Sequence, residues 1–317
     1  MKIAVVVPTI RENQIAKFLD AWDNQFYEHN VYCYVIEDNE QTEFSLPIPN
    51  FHCFHISHES IDGYKNDWIF PRKTDCIRSF GFLRAYNDGA DIIITLDDDC
   101  IPSDGNEIKR HIYNLQSEKG MIPWHNTIDF KYPRGYPFQT EKRKCVISHG
   151  LWDINPDLDA ITKLTERQKS LDYKFKNDFV PVNYYYPMCG MNLAFTREIL
   201  PAMYFLLMGQ EYGVDRFGDI WCGIISKKII DHLNYCVWSG RPNINHEGLS
   251  DPFVNLEKEM WGYQVNEYFW KRIDKIKLDG NNVVDCYTEI ALNMDLWEEE
   301  YFQKLSKAML IWLGLLK

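Results

Sequence analysis

A chain of 317 residues that is 45% hydrophobic and 15% aromatic has ample material for a packed core and is no disordered segment. Its formal charge of −12 excludes the basic patches on which nonspecific binding to nucleic acid or anionic lipid rests, so an anion site must concentrate its own positive charge. Nine cysteines scattered from Cys33 to Cys286 without a CxxC pair exclude a disulfide framework or zinc cluster and predict reduced thiols in a cytoplasmic protein.

Lys2 to Val7 reads as an apolar strand stopped by Pro8-Thr9. The opening MKIAVVVPTIRE has no signal-peptide h-region, and no later run has the length of a transmembrane segment. Asn13 to Phe26 has helical spacing through Ile15, Phe18, Leu19 and Trp22, and Val31 to Ile36 is a second strand ending in Glu37-Asp38-Asn39. Thr74 or Asp75 caps a helix that runs through Ile77, Phe80, Leu83 and Tyr86 to Gly89, which supplies a left-handed stop. With the buried run Ile92 to Leu96 these elements spell a doubly wound, mostly parallel α/β sheet, in which ligands bind beyond the carboxyl ends of the strands. Pro8, Thr9, Asp38 and Asp97 to Asp99 should converge there, and Pro8, Thr9, Arg11, Asp38, Asp97 and Asp98 are read as the nucleotide-binding edge.

The triplet Asp97-Asp98-Asp99 is the most informative segment. Three adjacent carboxylates repel one another unless a cation lies between them, and oxygen ligands suit Mn²⁺ or Mg²⁺. A solvated acidic turn is the bland alternative; the buried strand before the triplet and Pro102 after it favour the metal, with Asp97 and Asp99 as ligands. Lys73, Asp75 and Arg78 flank a helix start and either bind the nucleotide or pair with one another.

Farther on, Trp124 to Pro137 is rich in Pro, Gly and aromatics, and Arg134-Gly-Tyr-Pro-Phe138 is a tight turn that fixes one Arg among rings. A guanidinium suits bidentate phosphate binding, which assigns Arg134 to a diphosphate. Tyr184 to Phe195 is a strand flanked by turns, Arg197 to Met208 a helix, and Asp219 to Leu233 another helix with Ile220, Ile224, Ile225, Ile229 and Ile230 toward the core. Asp219 is either the ordinary cap of that helix or a carboxylate facing a substrate, and His246 is either a nitrogen ligand to the metal or a hydrogen-bonded structural residue. Tyr136, Trp152 and Trp221 either wall a pocket or belong to the core. The last element, Leu296 to Leu316, aligns Phe302, Leu305, Met309 and Trp312 in a stripe that packs on the body or on another subunit.

VVVPTIRE, VIED, LDDDCIP, RGYPF, SHGLWDINPD, YPMCGMNLAF, AMYFLLMG, FGDIWCGIISKKIIDHL and DPFVNLEKE follow in this order across almost the whole chain. Together they resemble the reversibly glycosylated polypeptides, the UDP-arabinopyranose mutase family of glycosyltransferases. The resemblance implies a GT-A-type glycosyltransferase fold with a helical C-terminal extension, read here as 1–255 and 256–317. It implies a UDP-sugar substrate with Mn²⁺ or Mg²⁺, a possible homo-oligomer, attachment of the sugar to Arg134, and interconversion of UDP-arabinopyranose and UDP-arabinofuranose. A protonated guanidinium cannot attack carbon, so a base must take its proton; Asp219 is expected in that role with Asp98 in reserve. Two departures thin the positive charge: Glu141, Lys142 and Arg143 stand where the family has a second Arg, and Glu247 where it has a basic residue. Transfer of the sugar to an external glycan or lipid, and a non-catalytic UDP-sugar-binding subunit, are the other two readings.

Overall fold

Short β-branched runs become strands here because both of their faces can be buried, and the helices between them cover those faces. The computed structural model describes residues 1–39, 44–121, 124–125, 127, 133–137, 141–165, 176–248 and 250–316; Phe138 of the RGYPF turn lies outside them. The first half holds β1 (Ile3–Thr9), α1 (Glu12–Glu28), β2 (Val31–Glu37), β3 (His52–Ile56), α2 (His58–Asp62), α3 (Arg78–Asn87), β4 (Ile92–Leu96), β5 (Cys100–Pro102), α4 (Glu107–Leu115) and β6 (Glu118–Gly120). The second half holds β7 (Lys142–Trp152), α5 (Ala160–Thr165), β8 (Asp178–Phe179), β9 (Asn192–Thr196), α6 (Gly218–His232), β10 (Tyr235–His246), α7 (Pro252–Lys275), α8 (Val283–Met294) and α9 (Glu300–Leu315).

The sheet runs β3-β2-β1-β4-β9-β7-β10-β5, with β6 beside β7 and β8 beside β10. Its first four strands are parallel, as expected. The rest is mixed: β9 is antiparallel to both β4 and β7, and β5 is antiparallel to β10. β7 delivers the chain to the same end of the sheet as the carboxyl end of β4, and β9 sets out from that end, so it must run backwards.

Alternation along β1 sends Val5 and Val7 to one core, with Phe18 and Trp22 of α1 and Ile108 of α4, and Ala4 and Val6 to the other. That second core also contains Phe80 of α3, Ile225 of α6, Phe269 of α7 and Trp312 of α9. The boundary read at 255 falls inside α7, and the C-terminal helices share the core under the sheet. Trp312 anchors them: its ring lies 5.7 Å from Tyr204 and its indole donates to Pro201 O at 3.1 Å.

Three local expectations change. The start of α3 carries no side-chain cap: the Thr74 hydroxyl donates to Pro71 O at 2.9 Å, the Asp75 carboxylate pairs with Arg78, and a 3₁₀ turn, Asp75–Ile77, leads into the helix. Arg197 to Met208 contains only the 3₁₀ turn Leu200–Ala202; Pro201 lacks an amide donor, Leu206 has φ +45°, and Met203 to Met208 are fully buried, so the apolar spacing marks core chain rather than a helix face. Asp219 follows the true start of α6, whose N-cap position is Phe217. Among the described residues, no helix is long and apolar enough to cross a membrane.

Candidate functional site

Beyond the carboxyl ends of β1, β2 and β4 lies a cleft of about 410 Å³, and Pro8, Thr9, Arg11, Asp38, Lys73, Asp75, Arg78, Asp97, Asp98 and Asp219 all line it. The strand register explains the meeting, since Thr9 sits opposite Glu37 and Asp38 N donates to Thr9 O at 2.8 Å. Thr9 then donates its hydroxyl to Asp98 Oδ2 at 2.6 Å, and Arg11 forks onto the same carboxylate. Burial opposes charge on Arg11, but Asp98 and Asp99 outweigh it and raise its pKa. Asp38 accepts from Arg72 Nε and Lys73 N, which assigns Arg72, unremarked in the sequence, to the rim of the site.

Arg78 and Asp75 do pair with each other, and the pair reaches into the triplet. The buried guanidinium donates from Nε to Asp75, from Nη1 to Thr95 Oγ1 at 2.8 Å and Leu96 O at 3.1 Å, and from Nη2 to Asp97. Arg78 is thus a brace that neutralises two cleft carboxylates at once. Asp219 accepts from Gly190 N and Ile220 N, each at 2.8 Å, yet burial first, then Asp75 and Asp157, push its pKa well above the usual carboxylate range. A carboxylate with that proton affinity is suited to proton transfer.

Asp99 and His246 meet through the sheet: β5 pairs with β10 so that Cys100 faces His246, and Glu247 N donates to Asp99 O at 3.2 Å. The His246 Nδ1 donates to Asn155 O at 2.7 Å, which fixes the tautomer and leaves Nε2 as an acceptor in the neutral ring, 3.8 Å from Asp99 Oδ1. Two acceptors facing each other call for a positive group, and a histidine oriented by a backbone carbonyl is how metal-ligating imidazoles are held. The Asp99 pKa is raised, by burial first and by Asp97 next. Asp99 and His246 thus offer two donors of the kind that suit Mn²⁺, while Asp97 is paired with Arg78; no group of three or more His, Cys, Asp or Glu that could hold a metal ion occurs among the described residues. Such a cation takes its remaining ligands from water and phosphate.

Other expectations fall elsewhere. Arg134 is exposed in a turn where Tyr136 N donates to Pro133 O at 3.0 Å, and it is not among the described residues lining the cleft. Tyr136 lies edge to face with Trp124, at 6.2 Å. Trp221 is core, 4.8 Å from Phe269, and Trp152 is buried against His149. Lys142, the first residue of β7, stands at the opposite end of that strand, ten steps or roughly 33 Å from Trp152, with Glu141 and Arg143 beside it. Glu247 does border the triplet and accepts from Gln14 Nε2 at 3.3 Å. The cleft also holds Asp157, Cys189, Met191, Asp215, Arg216 and Lys258, which sequence reasoning left without a role. They come from four separate segments, and only tertiary structure joins them.

The protein-family description "Reversibly glycosylated polypeptide" matches residues 1–317. The chain is 34% identical to "Probable UDP-arabinopyranose mutase 4" of Arabidopsis thaliana, over 98% of this chain and 88% of the relative. It is 33% identical to "UDP-arabinopyranose mutase 1" of Oryza sativa subsp. japonica and to "Probable UDP-arabinopyranose mutase 2" of Solanum tuberosum, each over 98% of this chain and 89% of the relative. Matched from end to end, the chain belongs to the reversibly glycosylated polypeptide family.

Proposed function

We propose that the protein is a UDP-sugar mutase that interconverts UDP-arabinopyranose and UDP-arabinofuranose. The similarity to relatives bearing that name, over 98% of this chain, carries the reading. The cleft suits it, because carboxylates and guanidinium groups line it where an open α/β sheet binds nucleotides, and His246 stands 3.8 Å from Asp99, the last acid of the same triplet.

In this reading Asp38, Arg11 and Lys73 orient the UDP portion, and Asp99 and His246, with Asp97, hold Mn²⁺ or Mg²⁺. Held there by those residues, a divalent cation would supply positive charge against the diphosphate of the leaving UDP. Arg134 receives C1 of the sugar as the bond to UDP breaks, and Asp219 takes the guanidinium proton that the new C–N bond displaces; the ring opens and closes to the other size, and UDP then retakes C1 as the C–N bond breaks and Asp219 returns its proton to the guanidine. This route requires the turn at 133–137 to approach the cleft. The exposed position of Arg134 outside the cleft lining favours a second reading, transfer of the sugar to an external glycan or lipid.

Incubation with UDP-arabinopyranose separates the two. The mutase produces UDP-arabinofuranose and adds one pentose to the peptide containing Arg134; in Arg134→Lys both outcomes disappear while UDP affinity stays within about twofold, since the cleft groups are intact. A wild type that forms no second ring isomer but glycosylates an added acceptor establishes the transferase instead.

A further inference from the structure

One side of the cleft is built differently from the nucleotide edge: Asp157, Asp215, Arg216, Asp219 and Lys258 alternate acceptors with donors there. Arg216 is its most constrained member. Its φ is +66°, in the left-handed region that a residue with a Cβ adopts at a cost, and its amide donates to Asp215 Oδ1 at 2.8 Å. What holds it there is α7. Arg216 Nε donates to Glu259 Oε1 at 2.8 Å; the buried Glu259 also accepts from Ala160 N at 2.9 Å and from the Tyr263 hydroxyl. The next residue, Phe217, packs so closely on α7 that a Cβ at Gly262 would stand 2.2 Å from its ring. Only Nε of the guanidinium is engaged: Nη1 and Nη2 donate no hydrogen bond to the described residues. Burial opposes its charge, while Glu259 first, then Asp157 and Asp219, raise its pKa.

A strained backbone, an anchored Nε and two donor groups left over are the marks of a side chain held in place for a ligand. A phosphate suits this sector poorly, because three aspartates surround the cation. A sugar suits it well, since each hydroxyl both donates to a carboxylate and accepts from a cation. Resting on the mutase reading for the identity of the sugar, we propose that Arg216 is a substrate-binding residue that donates to the pentose hydroxyls of the UDP-sugar, with Asp157 and Asp215 as acceptors and Glu259 as its positioning residue.

Calorimetry with UDP and with UDP-arabinopyranose on the full chain tests this, with thermal denaturation as the control for folding. Arg216→Ala should leave the UDP Kd within about twofold and weaken UDP-arabinopyranose about tenfold or more, the scale of a lost charged hydrogen bond. Added guanidinium ion should restore part of the loss, and Glu259→Gln should raise KM more than it lowers kcat. Equal weakening of UDP and UDP-arabinopyranose would place Arg216 on the diphosphate and overturn the proposal; unchanged affinity for both would leave it a strap between α6 and α7. If Arg216→Ala unfolds, Arg216→Lys, which keeps the charge but loses the fork, carries the same comparison. A wild type that binds UDP-arabinopyranose without converting its ring removes the mutase reading and leaves this binding comparison in force.

Discussion

Asp99 is the residue on which the metal assignment turns, because it is buried, lies next to two other acids, and faces an imidazole acceptor. Asp99→Asn keeps the shape and removes the charge. The expected outcome is loss of the Mn²⁺-dependent part of UDP affinity, at least about tenfold, with an unchanged or higher Tm because a buried repulsion disappears. Calorimetry with and without Mn²⁺, alongside a thermal scan, checks both; undiminished Mn²⁺ dependence would show that the cation binds elsewhere. The triplet was legible in the sequence because acids directly after a buried strand have one plausible place to be. Thr9, Asp38 and Asp98 were legible for the same reason, as ends of parallel strands. Arg72, Arg216 and Lys258 were not: each is an unremarkable cation until the fold carries Arg216 and Lys258 to the cleft and Arg72 onto Asp38 at its edge.

At the level of elements, strands and amphipathic helices near the N-terminus were readable to within two residues or so, because their apolar periods are clean. The apolar run after Arg197 was misread because complete burial erases the difference between a helix face and a threaded core segment. The long strands β7 and β10 went unread since their residues mix Lys, Arg, Ser, His and Asn with the apolar ones. The α3 contact with the sheet rests on Gly81, where a Cβ would stand 2.4 Å from Val6 Cγ1 and 3.1 Å from Ile36 Cδ1. Both neighbours are β-branched and stiff at χ1, so they cannot give way cheaply. Gly81→Ala should therefore destabilise the protein by about 1–3 kcal/mol despite the better helix propensity of Ala, and a urea titration measures it. Since α3 begins with Arg78, the same substitution should also loosen the brace on Asp75 and Asp97.

For the whole molecule, two buried histidines cost stability in acid. His111 bonds Ser148 Oγ at 2.9 Å and Asn192 Oδ1 at 3.0 Å, and His149 lies nearby; burial lowers both from 6.5 to about 4. A depressed folded-state pKa means the neutral ring is favoured in the native state, so the contribution is complete above the unfolded value. It declines as pH falls from 6.5 toward 4, because the unfolded chain takes up the protons first. The loss should be on the order of 3 kcal/mol for each ring. Equilibrium unfolding between those limits reads it, and His111→Gln should flatten the slope by roughly half.

Arg11 has a consequence for how ligands assemble. It spans Asp98 and Asp99 before anything else arrives. On the proposed reading, an Arg11 that turned to a phosphate would leave those carboxylates unneutralised and receptive to a cation, and carboxylates that turned to a cation would release Arg11 to the phosphate. The cleft would then work as a partner exchange, and linkage would make the assistance equal in both directions: nucleotide would tighten cation by the same factor as cation tightens nucleotide.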